Sequence, residues 1–316
     1  MGRLEGGKAR ALATVRSEDF IVLVASAALL GVCAVVGPIL VPTREQVLPF
    51  QVVDLGITNG DGTPATVVLR DQTYDKPVVD ERVPNWALGI INIAGVVLTG
   101  FVGAFLPKCC FGGHGEGMRA LSAAFVSVGV CTLAAGILRS YFGILRPNFF
   151  DGCGWNNTLA ACTTGWKGED HDLDEGRRSF PSGHTASAFS TLFLLSLCLL
   201  RIARATRASH AATDHVGLSK RLLPTVLTVV AMLPPTGATL IAATRVTDYY
   251  HHTADVVAGA FLGVACAALA AESLLPDFGE DLCEGRVRVR PVRASSSVAI
   301  TSVPRRESTS SDAGRL

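Results

Sequence analysis

Residues 244–275 read TRVTDYYHHTADVVAGAFLGVACAALAAESLL. The part from residue 254 onward is apolar and long enough to cross a bilayer, whose hydrocarbon core of roughly 30 Å requires about 20 residues of helix. The part before it carries Arg245 and His251, and Asp255 lies at the start of the apolar part. An apolar block that begins with such ionisable residues indicates a membrane-spanning helix with chemistry at one surface of the bilayer.

The composition of the whole chain agrees with a membrane protein. Of its 316 residues, 49% are hydrophobic and only 17% are charged, whereas soluble domains carry about a quarter charged residues. Lys and Arg number 28 and Asp and Glu 27, which leaves a net charge of +1 and argues against a nucleic-acid partner. The apolar residues form long blocks, and this pattern excludes a disordered chain, a coiled coil and a soluble single-core enzyme.

Six apolar blocks meet the length requirement, so the sequence predicts an all-α bundle of six transmembrane helices. The expected organisation is a cytosolic N-terminal tail at 1–19, a membrane domain at 20–276 and a disordered cytosolic tail at 277–316, which is rich in Ser and Arg. Pro234 and Pro235 should interrupt the fifth span. The six spans are predicted at 20–42, 86–107, 118–138, 183–200, 222–244 and 254–275.

The distribution of Lys and Arg predicts the orientation of these spans. Basic residues dominate both tails and the loops after the second and fourth spans, which places both termini in the cytosol. The loops at 43–85, 141–182 and 245–253 then face the lumen or the exterior. The 141–182 loop carries a glycosylation sequon at Asn156, together with Cys153 and Cys162, which could form a disulfide in an oxidising compartment. A chance sequon and two free thiols are the alternatives.

The unusual polar residues collect at the predicted outer ends of spans three to six. A transporter or channel would instead place such residues near the bilayer midplane. Guanidinium groups bind phosphate oxygens in bidentate fashion, and the amides at a helix N-terminus add donors to the same anion. An oxyanion site is therefore predicted from three arginines and a Pro-Ser-Gly-His turn that opens a helix: Arg139, Arg146, Arg245, Ser182, Gly183 and His184.

Two histidines and a carboxylate supply the groups for phosphoryl transfer. The i, i+4 spacing of His251 and Asp255 would place them on one helix face, where the carboxylate can hold the imidazole in one tautomer. His184 could protonate a leaving alkoxide. These groups are typical of catalysis through a phosphohistidine. The sequence shows neither an HExxH motif nor an acidic triad, so we expect no metal and no cofactor.

These residues resemble the type 2 phosphatidic acid phosphatase (PAP2) superfamily, in particular its six-span lipid phosphate phosphatases. The family pattern is Lys-x6-Arg-Pro, Pro-Ser-Gly-His and Ser-Arg-x5-His-x3-Asp. The chain matches it at 139–147, 181–184 and 244–255, with Arg139 in place of Lys and Thr244 in place of Ser. The Arg at residue 139 keeps the positive charge of the Lys but replaces a compact ammonium group with a planar guanidinium group. The resemblance covers about residues 20–275 and implies a haloperoxidase-like core.

The resemblance also implies roles for the matched residues. His251 attacks phosphorus, and Asp255 orients the imidazole of His251. His184 protonates the leaving alcohol and later activates water. The three arginines, Ser182 and the Gly183 amide hold the phosphate, without a metal. We expect an integral phosphatase of the plasma membrane or an endomembrane, with its active site on the non-cytosolic face. Its partners would be phospholipid substrates such as phosphatidate, lysophosphatidate, diacylglycerol pyrophosphate or sphingosine 1-phosphate. A homo-oligomer is left open.

Three alternatives remain at this point. The same scaffold could act on polyprenyl pyrophosphate or a sugar phosphate. The chain could be a non-catalytic lipid-binding or scaffold relative if Arg139 disables the site. A transporter is the third and least favoured alternative.

Overall fold

The computed structural model describes residues 18–33, 36, 40–111, 116–168, 172–211 and 218–275. The predicted C-terminal tail and residues 1–17 of the predicted N-terminal tail lie outside the described residues. The described part is mostly helical: α1 (residues 18–33), α2 (Asn85–Phe111), α3 (Glu116–Phe142), the short α4 (Phe149–Gly152), α5 (Gly183–Ala211), α6 (Leu218–Val230), α7 (Leu233–Thr247) and α8 (Thr253–Leu274).

Five segments of the described ranges are long and apolar enough to cross a membrane, and they overlap the second to sixth predicted spans. The chain is therefore a multi-pass membrane protein. Within the first predicted span, 20–42, the described helix α1 continues as far as residue 33, so the sixth crossing stays a prediction. The fifth span consists of two helices: α6 ends at Val230, and α7 begins at Leu233, directly before Pro234 and Pro235. The predicted interruption is confirmed.

Helix α5 is the centre of the bundle and contacts α2, α3, α6, α7 and α8. Its interior face is rich in small and aliphatic side chains, among them the buried Leu194 and Ile202. Two glycines allow α8 to approach α5 closely. A Cβ on Gly263 would lie 2.4 Å from the carbonyl oxygen of Ala186, and one on Gly259 would lie 2.6 Å from that of Ser182. This close approach sets the N-terminal ends of α5 and α8 side by side.

Two predicted outer loops contain β-structure that the all-α prediction missed. In the 43–85 loop, β1 (Phe50–Thr58) pairs antiparallel with β2 (Pro64–Arg70), with Phe50 opposite Arg70. In the 141–182 loop, β3 (Trp155–Asn156) pairs with β4 (Ala161–Cys162). A disulfide between Cys153 and Cys162 closes this second hairpin, and Asn156 is exposed beside it.

The 141–182 loop also has a core of its own. Leu145, Phe149, Phe150, Cys153 and Trp166 are all buried against one another. Apolar burial of this kind stabilises the loop by about 25 cal/mol per Å² removed from water. The loop is therefore a packed element that can hold side chains in fixed places.

Candidate active site

The residues singled out by the sequence come together where four long helices end or begin. Arg139 lies in the last turn of α3 and Arg245 in the last turn of α7. Gly183 opens α5, and Asp255 lies in the first turn of α8. These positions form one end of the bundle, as predicted from the sequence.

A cavity of about 410 Å³ opens at this end. Two imidazoles and four cationic side chains face it, together with two carboxylates and three other side chains. Its lining residues are Glu81, Asn85, Arg139, Arg146, Trp166, Lys167, Glu175, Gly183, His184, Arg245, Tyr250 and His251.

The imidazole of His251 is buried, and a backbone carbonyl fixes its orientation. Its Nδ1 lies 2.8 Å from the carbonyl oxygen of Ser179. Because a carbonyl oxygen can only accept, Nδ1 carries the proton, and the neutral ring keeps a lone pair on Nε2. Burial, aided by the positive charge of Arg146, lowers the pKa of His251 to about 4. At neutral pH this imidazole is uncharged and available as a nucleophile.

The carboxylate of Asp255 lies beside this imidazole, in a different arrangement from the one predicted. Its Oδ2 is 3.8 Å from His251 Nδ1, which is too far for a hydrogen bond. The same oxygen accepts hydrogen bonds from Ser179 Oγ at 2.5 Å and from the His252 amide at 2.9 Å. The carboxylate is thus held beside the imidazole by Ser179 and by the first turn of α8.

The helical reasoning behind the His251 and Asp255 pair is wrong, although the two side chains do lie side by side. Helix α8 begins at Thr253, so His251 lies in the preceding loop and not on the helix. His252 is the N-cap residue, and its Nε2 lies 3.1 Å from the carbonyl oxygen of Leu145. His252 therefore links α8 to the 141–182 loop.

The Pro-Ser-Gly-His turn starts α5, as predicted. The buried Ser182 donates its amide hydrogen to the carbonyl of Asp255 at 3.0 Å, and its Oγ accepts from Thr185 Oγ1 at 3.1 Å. Ser182 thus joins the first turns of α5 and α8, while Gly183 lines the cavity. The absence of a side chain at Gly183 makes room for Arg139, since a Cβ there would lie 3.0 Å from the Arg139 Nη1.

His184, the next residue, also points into the cavity. Its Nε2 is buried and has no hydrogen-bond partner among the described residues. The nearest acidic group is the Oε2 of Glu81, at 3.8 Å. This nitrogen is therefore free to exchange a proton with a bound molecule.

Two of the three arginines, Arg146 and Arg245, are paired with carboxylates that sequence reasoning missed. Arg146 donates through Nε to the carbonyl oxygen of Glu175 at 2.8 Å and through Nη2 to the Glu175 carboxylate. Arg245, whose side chain is 1% exposed, donates through Nη1 to Glu81 Oε2 at 2.8 Å. Lys167 adds a fourth cation, with Nζ 4.5 Å from the ring centre of Tyr250. All of these partners lie outside the quoted motifs except Tyr250, which falls within the third.

A metal site is not evident in the part of the chain that the structure describes. No group of three His, Cys, Asp or Glu side chains there lies close enough to hold an ion. The four cationic side chains and the free amides of a helix start favour an anion instead.

Comparisons with known proteins show which proteins this chain is similar to. The model of the PAP2 superfamily matches residues 120–275. A probable diacylglycerol pyrophosphate phosphatase 1 of Schizosaccharomyces pombe is 29% identical over 66% of this chain and 71% of its own length. Lipid phosphate phosphatase 1 of Arabidopsis thaliana is 28% identical over 66% of this chain and 59% of its own length. Phospholipid phosphatase 1 of Mus musculus is 26% identical over 68% of this chain and 76% of its own length. No solved structure matches the chain significantly.

Proposed function

Because the chain belongs to the lipid phosphate phosphatase branch of the PAP2 superfamily, it is a membrane phosphatase, and we propose that it hydrolyses lipid phosphate monoesters through a phosphohistidine. The observation that carries this proposal is that His184, His251 and three arginines line one cavity. The name of the Schizosaccharomyces pombe relative supports diacylglycerol pyrophosphate as a substrate, and the names of the other two support phosphorylated lipids as the substrate class. Phosphatidate, lysophosphatidate and sphingosine 1-phosphate are the other substrates that we propose.

In the first step, Arg139, Arg146 and Arg245 bind the phosphate oxygens, and the amide that opens α5 adds a donor. The Nε2 lone pair of His251 then attacks phosphorus. The bond from phosphorus to the ester oxygen breaks, and His184 in its protonated form gives its proton to that oxygen. The products of this step are the lipid alcohol and phosphorylated His251.

In the second step, His184 takes a proton from water, and the resulting hydroxide attacks phosphorus. The bond between phosphorus and nitrogen breaks, which releases inorganic phosphate and restores neutral His251. Asp255 acts in both steps, because its negative charge stabilises the positive imidazolium that forms while His251 is phosphorylated.

We propose a topology with six spans, cytosolic termini and the site on the luminal or extracellular face. The disulfide and the exposed sequon at Asn156 support this side for the 141–182 loop, because oxidation and glycosylation both occur there. Protease access to this loop from the non-cytosolic side of sealed vesicles tests the topology.

The activity is tested with purified full-length protein in detergent micelles that contain phosphatidate, with excess EDTA. We expect phosphate release that His251→Ala abolishes. Equal activity in this variant would refute the proposed mechanism. Water-soluble phosphate esters and polyprenyl pyrophosphate are measured in parallel, and faster turnover of either would refute the assignment to lipid phosphates.

A further inference from the structure

Glu81 is held in the active site by its neighbours in the chain. The hydroxyl of Tyr250 donates to the carbonyl of Val79 at 3.1 Å. On the other side, the amide of Arg82 donates to Asp248 Oδ2 at 3.0 Å, and its guanidinium donates to Thr247 Oγ1 at 2.8 Å. The segment before α2 is thereby attached to the end of α7. The position of Glu81 is fixed on both sides by these contacts.

The carboxylate of Glu81 lies among the groups that would bind phosphate. Its Oε2 is 2.8 Å from Arg245 Nη1 and 3.8 Å from His184 Nε2, and its Oε1 is 3.6 Å from Lys167 Nζ. The Glu81 side chain is 19% exposed and lines the cavity. A carboxylate in this place occupies donors that a substrate phosphate needs.

Two anions cannot share these donors without a large repulsion, because solvent screens like charges only weakly when they lie a few ångströms apart in a partly buried site. We propose that Glu81 is a resident anion of the active site, one that balances Arg245 and Lys167 when the site is empty and competes with phosphate for them. This inference rests on the proposed function. Its consequence is weaker binding of inorganic phosphate, which helps the product to leave.

A purely structural role for Glu81 predicts the opposite sign. If Glu81 only positioned Arg245, its removal would weaken phosphate binding. Arg245 keeps other partners, however, since its Nη2 lies 3.4 Å from Asp248 Oδ2 and its Nε lies 3.2 Å from Thr244 Oγ1. The guanidinium should therefore stay in place and become available to phosphate when the charge of Glu81 is removed.

The test is the affinity of the purified full-length protein for inorganic phosphate, measured by calorimetry without turnover. Glu81→Gln should lower the dissociation constant about tenfold and raise product inhibition by the same factor. Asp80→Asn removes the neighbouring carboxylate, which lines an adjacent cavity but not this one, and should leave the constant unchanged. Glu81→Ala provides a second variant in case Glu81→Gln does not fold.

Suppose that the wild-type protein binds phosphate and hydrolyses phosphatidate. An unchanged or larger dissociation constant for phosphate in both Glu81 variants would then overturn the inference but not the proposed function. Tighter binding in Asp80→Asn as well would also overturn it, because a general change in charge would then explain the effect. A wild-type protein that neither binds phosphate nor hydrolyses phosphatidate would overturn the proposed function, and the inference with it.

Discussion

Replacement of Asp255 by Asn tests how a carboxylate can assist an imidazole that it does not touch. The charge lies 3.8 Å from His251 Nδ1. With an effective dielectric constant of about 20, Coulomb's law gives about 4 kcal/mol for its interaction with the imidazolium of the phosphorylated state. Loss of this energy lowers the rate of phosphate release about a thousandfold. Asn has the same shape and can still accept from the His252 amide, so the midpoint of thermal unfolding should change little.

Ser179→Ala is the matched comparison for Asp255→Asn. It removes the hydroxyl that donates to Asp255 but keeps the backbone carbonyl that accepts the hydrogen bond from His251 Nδ1. We expect a loss of about tenfold in kcat, or roughly 1.4 kcal/mol, because one hydrogen bond to a charged group is removed. The assay is phosphate release from phosphatidate micelles at saturating substrate. A loss of less than tenfold in the kcat of Asp255→Asn, or a loss in the kcat of Ser179→Ala larger than that of Asp255→Asn, would refute this reasoning.

Three further predictions follow from the same structure. Burial lowers the pKa of His251 to about 4, so kcat/KM should rise with pH through about 4 as the imidazole loses its proton; a rise in kcat/KM centred near the ordinary value of about 6.5 would contradict a buried neutral nucleophile. Lys167→Met removes one cation from the cavity and should raise the KM for phosphatidate about tenfold; an unchanged KM would exclude a contact with phosphate. Gly263→Ala would place a Cβ 2.4 Å from the carbonyl oxygen of Ala186, so it should destabilise the bundle by about 1–3 kcal/mol and lower the thermal midpoint in detergent. Gly237→Ala, whose Cβ would have no neighbour closer than 3.9 Å, should not lower it.

The membrane helices could be predicted because the length of an apolar block depends on the bilayer and not on the rest of the fold. The structure extends several helices past the predicted ends, and α5 reaches Ala211 where the sequence predicted residue 200. Arg201 and Arg204 are good helix formers, so the helix continues after the apolar block has ended.

The hairpin of the 43–85 loop was missed, although its signal is present. Two Val-containing runs flank Asn59-Gly60-Asp61-Gly62, a turn sequence typical of β-hairpins. Its strands are largely exposed, so they lack the clear alternation of apolar and polar residues that a half-buried strand shows.

The motif residues of the site could be predicted, but their partners could not. Glu81 is separated from Arg245 by 164 residues, and no local pattern connects the two. Ser179 lies two residues before the Pro-Ser-Gly-His turn, yet the contact of its backbone carbonyl with His251 depends on how the loop packs. Such contacts are tertiary and leave no periodic signal in the sequence.

The central claim is that His251 carries the phosphoryl group during turnover. The direct measurement is to mix the protein with phosphatidate labelled in its phosphate, stop the reaction in alkali, and locate the label by fragmentation of the peptide that contains residues 251 and 252. We expect an acid-labile, alkali-stable phosphate on His251, absent from His251→Gln and present in the folded control His252→Gln. A label on another residue, or phosphate release from wild-type protein with no phosphorylated intermediate at any time, would contradict it.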